Sequence, residues 1–224
     1  MNRQAMELIA MTDVAAINPH DTICEVDYLA ECAVEYGYNL AFVSQCFTEY
    51  MIRKLKGTGV KVGGGIGNST GAGEEPFAFK LASVKHWVKA GCGEIEMFLN
   101  IPFMRSGMYD EVQKEIKAIR NETSTVFKLI LNTPLLTDEQ IQIACEMAIN
   151  AGCDFVKTGT GVFGPTKLEK VALIRQTVGD RIRIKAAGGI ADLETIYHLQ
   201  YLGVTRLGIN NANTLNIISK LEKE

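Results

Sequence analysis

The sequence predicts a closed (β/α)8 TIM barrel, built as a single domain over residues 1–224. Two observations carry that expectation. Short apolar runs alternate with helical patterns along the whole chain. Glycine also recurs where a helical pattern gives way to the next apolar run. The chain, at 224 residues, is long enough for one sizeable core and falls in the size range of a compact barrel.

The first predicted strand is Leu8 to Met11. The next are Asn39 to Val43, Gly59 to Val62 and Glu94 to Leu99. Thr125 to Leu131, Asp154 to Lys157, Arg181 to Ala186 and Thr205 to Gly208 bring the number to eight. Between them, Phe77 to Ala90 has apolar residues at helical spacing. Thr137 with Gln140 three residues on is a capping-box signature opening a helix. Pro165 suits the first turn of another. Gly37, Gly91, Gly152 and Gly203 each stand just before a strand, where a left-handed helix cap would feed it. The stretch Gly63-Gly64-Gly65-Ile66-Gly67-Asn68-Ser69-Thr70-Gly71-Ala72-Gly73 reads as a strand end and a substrate-facing loop. It lacks the Gly-Lys-Ser/Thr ending of a nucleotide-binding loop.

Composition narrows the function classes. The chain is 47% hydrophobic and 22% charged, with a net charge of −3, and no basic run is interleaved with aromatics, so no nucleic-acid role is expected. No apolar run reaches membrane-spanning length, and Asp13 interrupts the first apolar stretch, so no membrane segment or secretion signal is expected and the location read is cytoplasmic. Cys24, Cys32, Cys46, Cys92, Cys145 and Cys153 show no CxxC and read as reduced thiols. His20, His86 and His198 are scattered, so neither metal nor other cofactor is expected.

The chemistry lies in charged residues inside strands. Alternation through Glu94 to Asn100 places Glu94, Glu96, Phe98 and Asn100 on one face and Ile95, Met97 and Leu99 on the other. The apolar face should meet the helices, so Glu96 points into the barrel and needs a partner. Lys157 and Lys185 stand at the C-terminal ends of the sixth and seventh strands, the face on which barrels of this type build active sites. Neighbouring strands lie about 4.8 Å apart, so the two amines should be close. A lysine must be neutral to attack a carbonyl, and a second cation is one way to make it so. One lysine would then be the nucleophile and the other its activator, with Glu96 moving protons or balancing charge. The alternative is a buried ion cluster without chemistry. Arg183 shares a face with Lys185 and Glu94 with Glu96, so a structural Glu94–Arg183 ion pair is expected. Trp87 and Tyr109 read as covering the core or a subunit contact, and Met97, Met104 and Met147 as packing residues.

At these residues the chain resembles the deoxyribose-phosphate aldolase family. Phe155-Val156-Lys157-Thr158-Gly159-Thr160-Gly161 resembles the family segment whose lysine forms the Schiff base. Ile184-Lys185-Ala186-Ala187-Gly188-Gly189-Ile190 resembles the segment carrying the activating lysine, and Gly91 to Met97 the segment carrying the catalytic acid. Asp13 with Asn18-Pro19 resembles the first-strand signature. The resemblance covers nearly the whole chain. It implies metal-independent, reversible cleavage of 2-deoxyribose 5-phosphate to acetaldehyde and glyceraldehyde 3-phosphate, as in deoxyribonucleotide catabolism. Lys157, Lys185 and Glu96 would be catalytic. Asp13, Thr158, Gly159, Gly188, Gly189, Gly208, Asn210 and Asn211 would contact a sugar phosphate or aldehyde substrate, and a homodimer is implied.

The chain departs from the family at several positions. Glu96 stands where the family usually has Asp, Ala15 where it has Thr, and Phe42-Val43-Ser44-Gln45 where it has Cys-Val-Asn-Pro. Ser69 to Gly73 replaces Gly-Phe-Pro-x-Gly. Val162 and Ala191 stand where some members carry Lys and Arg, and Gly208-Ile209-Asn210-Asn211 replaces Gly-Thr-Ser-Ser. The sequence given closes on Lys220-Leu221-Glu222-Lys223-Glu224, without the tyrosine tail of many members. Two further readings therefore stay open: a Schiff-base aldolase for another, unphosphorylated sugar or aldehyde, and a non-catalytic metabolite-binding barrel.

Overall fold

A computed structural model describes residues 1–67 and 70–223. Asn68 and Ser69 of the glycine-rich stretch, and Glu224, lie outside the described residues. Helix α1 (Arg3–Ala10) leads into β1 (Thr12–Ala16). Then come α2 (Ile23–Tyr36), β2 (Leu40–Val43), α3 (Thr48–Lys54), β3 (Lys61–Ile66), α4 (Phe77–Ala90) and β4 (Glu94–Phe98). Two helices, α5 (Ile101–Arg105) and α6 (Tyr109–Asn121), precede β5 (Val126–Ile130), and α7 (Asp138–Asn150) leads to β6 (Phe155–Lys157). The order ends with α8 (Leu168–Val178), β7 (Arg183–Ala187), α9 (Leu193–Tyr201), β8 (Arg206–Asn210) and α10 (Asn211–Leu221). The eight strands pair in sequence order, all parallel, and β1 pairs with β8 to close the barrel. Among the described residues no helix is long and apolar enough to cross a membrane.

Local chemistry explains the boundaries. The Thr137 hydroxyl accepts from the Gln140 N–H, and the Gln140 side chain accepts from the Thr137 N–H, the capping box expected at the start of α7. Thr22 and Glu25 build a second one at α2. Gly37 and Gly91 close α2 and α4 with left-handed φ of 74° and 97°, and Gly152 and Gly203 make the same turn after α7 and α9. Between barrel and helices lies an apolar layer that includes Ile95, Met97 and Leu99 from the β4 region, with Trp87, Met104 and Met147 from the helices.

Three readings of the sequence need correction. Leu8 to Met11 is not the first strand. Asn2 caps a helix by accepting from the Ala5 N–H, and Ala5, Leu8 and Ile9 form its buried stripe, so the strand starts at Thr12. Pro165 is not in a first helical turn, because α8 starts at Leu168 after Lys167 as N-cap. Thr166 is held back by its N–H donating to the Gly188 carbonyl and its hydroxyl to the Ala187 carbonyl, which ties this segment to the end of β7. The third strand does not stop at Val62 but runs through the glycines to Ile66. A Cβ on Gly63 would stand 2.2 Å from the Phe42 ring, so glycine is what lets β3 pass the aromatic filling the barrel interior.

Candidate active site

The pairing registers bring the charged strand residues to one level. Lys157 on β6 stands opposite Lys185 on β7, Lys185 opposite Arg206 on β8, and Glu96 on β4 opposite Lys128 on β5. Their side chains meet inside the barrel. Glu96 Oε2 is 2.6 Å from Lys157 Nζ, and its Oε1 is 2.7 Å from Lys185 Nζ. One carboxylate thus holds both amines.

The ring continues around the barrel. Asp13 Oδ2 lies 2.5 Å from Lys185 Nζ and 2.6 Å from Lys128 Nζ, and Oδ1 lies 2.6 Å from Arg206. Lys128 Nζ also lies 2.6 Å from Glu94 Oε2 and 3.3 Å from Glu96 Oε1. Three carboxylates (Asp13, Glu94, Glu96) therefore face four basic groups (Lys128, Lys157, Lys185, Arg206). One positive charge is in excess when all are ionised, and one neutral amine restores balance.

The ring controls its own ionisation. Burial alone would raise the Asp13 carboxyl, but Lys185, Lys128 and Arg206 outweigh it and hold the group at about 2. Burial likewise works against Glu96, yet Lys157, Lys185 and Lys128 keep it well below the usual carboxylate range. Lys185 goes the other way. Its burial, aided by the cations of Lys128 and Lys157, outweighs Asp13 and Glu96 and pushes it down to about 8. For Lys128 the carboxylates Glu96, Asp13 and Glu94 win against burial, and its pKa is raised.

Access separates the lysines. The Lys157 side chain is 10% exposed, against 1% for Lys185 and 0% for Lys128. Lys157 is thus the amine of the three that the barrel mouth leaves reachable. Phe42 lies beside the pair, its ring 5.8 Å from Lys157 Nζ and 5.4 Å from Lys185 Nζ. Gly208 makes room for Lys185, since a Cβ there would come 3.2 Å from Lys185 Cε and 2.7 Å from Ala187 Cβ.

The remaining expected substrate contacts divide into groups. Asp13 is in the ion ring with all its nearest partners cationic. Thr158 is buried and links β6 to β7. Its hydroxyl accepts from the Ala187 N–H and lies 2.7 Å from Thr166 Oγ1, whose own proton goes to the Ala187 carbonyl. Gly159 lies against the Asn132 side chain. Gly188 and Gly189 have left-handed φ of 109° and 75°, and a Cβ on Gly188 would meet the Gly161 backbone at 2.7 Å, so the β6 and β7 loops touch there. Asn210 spends its side chain capping α10, accepting from the Asn213 N–H, and Asn211 is buried in the first turn of that helix.

The expected Glu94–Arg183 pair does not form. Arg183 is half exposed, lies 3.6 Å from Asp154, and stacks on the Phe155 ring, while Glu94 is taken by Lys128, with Arg206 at 3.8 Å. Residue 183 sits at the start of β7, where a long side chain reaches solvent below the barrel. Sequence reasoning also passed over Lys128, Arg206 and Asn132. The rule that singled out Glu96, a charge inside an apolar strand, applies equally to Lys128 between Phe127 and Leu129.

No family model matches the chain. It is 38% identical over 209 residues to the deoxyribose-phosphate aldolase of Caldanaerobacter subterraneus subsp. tengcongensis, which covers 91% of this chain and 89% of the relative. A solved structure described as QR15, an aldolase, superposes with a TM-score of 0.86 at 32% identity over 99% of this chain and 97% of its own. The structure of a candidate deoxyribose-phosphate aldolase from Coccidioides immitis gives a TM-score of 0.90 at 27% identity, over 97% of this chain and 87% of its own.

Proposed function

The chain belongs to the deoxyribose-phosphate aldolase family and is a lyase, and from that premise we propose that it is a Schiff-base aldolase with Lys157 as nucleophile. The observation that carries this reading is the Glu96 carboxylate spanning Lys157 and Lys185, with Lys157 the amine open to the mouth. The four-to-three excess of basic groups over carboxylates favours one neutral amine.

The substrate that the family implies is 2-deoxyribose 5-phosphate in its open-chain form. Neutral Lys157 adds to the C1 carbonyl, and the resulting carbinolamine loses water to give an iminium ion, with Glu96 placed to take and return the proton. Glu96, having given its proton to the departing water, takes the C3 hydroxyl proton as the C3 carbonyl forms and the C2–C3 bond breaks. Glyceraldehyde 3-phosphate leaves and the electron pair stays on the enamine nitrogen–carbon system. Protonation at C2 and addition of water release acetaldehyde and free Lys157. No electrons are gained or lost overall, and the Lys185 amine stands 2.7 Å from the carboxylate that Lys157 uses.

A specific observation favours a second acceptor class. The loop after Gly188–Gly189 ends at Asp192, whose carboxylate accepts from the Thr195 N–H and hydroxyl and so already places an anion at the start of α9. With Ala191 beside it, this end of the mouth suits an uncharged aldehyde. Comparing kcat/KM for deoxyribose 5-phosphate and deoxyribose decides between the two. A strong preference for the phosphorylated sugar supports the first, and near-equal values the second. Borohydride reduction in the presence of acetaldehyde tests the shared chemistry. Absence of an adduct on Lys157 would overturn it and favour a barrel that only binds metabolites.

A further inference from the structure

Asn132 is the non-glycine residue with left-handed backbone among the described residues, at φ 51° and ψ 60°. Such a conformation costs an ordinary residue about 1 kcal/mol or more, and asparagine bears it more easily than most. The residue is 1% exposed and lies two positions past the end of β5, whose last residue, Ile130, stands opposite Lys157. Its neighbours on both sides are fastened to β6: the Leu131 N–H donates to the Lys157 carbonyl and the Thr133 N–H to the Thr158 carbonyl. The backbone bend is therefore fixed from both ends, and it aims the Asn132 side chain across the mouth rather than along the strand.

That side chain closes a contact between distant segments. Asn132 Nδ2 donates to the Gly71 carbonyl at 2.5 Å, inside the protein. On its other side, Asn132 Oδ1 would lie 3.3 Å from a Cβ on Gly159, so a larger residue at 159 would press on it. The Gly71 segment is held at two further points. The Ile101 N–H donates to the Ala72 carbonyl, and Gly73 is pressed so closely on Leu99 that a Cβ would stand 2.2 Å from its carbonyl oxygen. A Cβ on Gly71 would touch Phe98 at 3.8 Å and Phe163 at 3.6 Å. Phe98 shares the inward face of β4 with Glu96, one alternation nearer the mouth.

We infer that Asn132 is a positioning residue that fixes Gly71–Gly73 against Phe98 and Phe163 as one wall of the acceptor pocket above Lys157. The inference rests on the Schiff-base reading for the pocket's use, but the clasp itself does not. The wall acts on the part of the substrate beyond the reacting carbonyl. Removing the clasp loosens substrate binding and leaves attack by Lys157 on a small aldehyde intact.

Two variants test this. Asn132→Gly keeps the left-handed backbone without strain and removes the donor. Its KM for deoxyribose 5-phosphate cleavage rises roughly 5- to 10-fold, the loss expected for one buried hydrogen bond. Its kcat stays within about 3-fold, and borohydride trapping of acetaldehyde proceeds at the wild-type rate. Asn132→Asp keeps the shape but sets a carboxylate against the Gly71 carbonyl. Its KM, taken relative to wild type at each pH, falls back toward unity as the pH is lowered, because only the protonated acid donates. Hydrogen exchange of amides in the Gly71–Glu75 peptide accelerates in Asn132→Gly. Wild-type KM in both variants, or a parallel loss of trapping and KM, overturns the pocket role. Unchanged exchange overturns the clasp. If wild-type protein traps no acetaldehyde, the aldolase reading fails separately and the exchange result alone decides the clasp.

Discussion

Lys157 and Lys185 stand opposite one another in the register of β6 and β7, and the two oxygens of Glu96 divide between them at 2.6 and 2.7 Å. The three groups form one unit. Removing a proton from Lys185 costs less than from an isolated lysine, and the carboxylate that it shares with Lys157 gives a proton a place to go.

Substitution of Glu96 should rank by reach and charge. Glu96→Gln keeps the length and removes both the charge and the proton acceptor, so kcat should fall by about 100-fold or more, the usual contribution of a positioned acid–base group. Glu96→Asp shortens the arm by one methylene and leaves a gap that a water can bridge. Its kcat should lie between wild type and Glu96→Gln. Steady-state cleavage by the three proteins, with thermal melts to confirm folding, checks the order. A Gln variant as active as wild type would remove Glu96 from the chemistry.

The pH dependence follows from Lys185, which burial pushes down to about 8. Lys185 sheds its proton near that pH and can then take up the proton that Lys157 gives to Glu96, which touches both amines. Formation of the reducible adduct should therefore rise as the pH increases through about 8 and level off above it. Lys157→Ala should give no adduct at any pH. Lys185→Met removes the neighbouring cation, so the rising limb should move to higher pH while some adduct still forms. Adduct formation that is flat from pH 6 to 9 in wild-type protein would contradict this assignment.

Lys128 is the keystone of the ion ring, touching Asp13, Glu94 and Glu96 while fully buried. Its truncation to Met leaves three carboxylates sharing fewer cations in a dry interior. Breaking a buried charge cluster in this way costs about 3–5 kcal/mol. For a chain of this size that corresponds to a melting temperature lower by roughly 10 °C. The sign of the acid limb is also set. The folded-state pKa of Asp13 is depressed to about 2, so its stabilisation is complete above the ordinary aspartate range and is lost as pH falls toward 2. The midpoint of urea melts should fall between pH 5 and 2 in wild type and fall less in Asp13→Asn.

Much of this was legible in the sequence, for physical reasons that differ by residue. Seven of the eight strands lie where apolar runs end at turn residues, and the Lys157–Lys185 neighbourhood follows from their place in adjacent parallel strands, although Lys157 ends β6 and Lys185 lies mid-strand in β7. The first strand was hidden because Ala5, Leu8 and Ile9 are as apolar as a strand and differ from one only in spacing, with Asn2 as cap. The Glu94–Arg183 pairing failed because alternation gives the face of a residue but not its height. Arg183 begins its strand and escapes to solvent, whereas Lys128 sits mid-strand and takes Glu94. Asn132 carried no signal, since its role depends on a segment 61 residues away.

The last prediction concerns the barrel interior, where Gly63 and Phe42 share one space. A Cβ on Gly63 would overlap the Phe42 ring at 2.2–2.5 Å, far inside any real contact, and the Phe42 ring also lies near both lysine amines, at 5.8 and 5.4 Å. Gly63→Ala should therefore destabilise the protein by about 1–3 kcal/mol, the range for overpacking a core. It should also slow adduct formation by displacing the ring beside Lys157. Phe42→Leu removes the obstructing ring and on its own costs stability by leaving space. In the double variant the new methyl fills part of that space, so the two costs should fall short of adding. A double-mutant cycle from urea melts reads the coupling, expected at about 1 kcal/mol or more in the compensating direction. Strict additivity would show that β3 can shift away from β2 and that the glycine is not required by the aromatic.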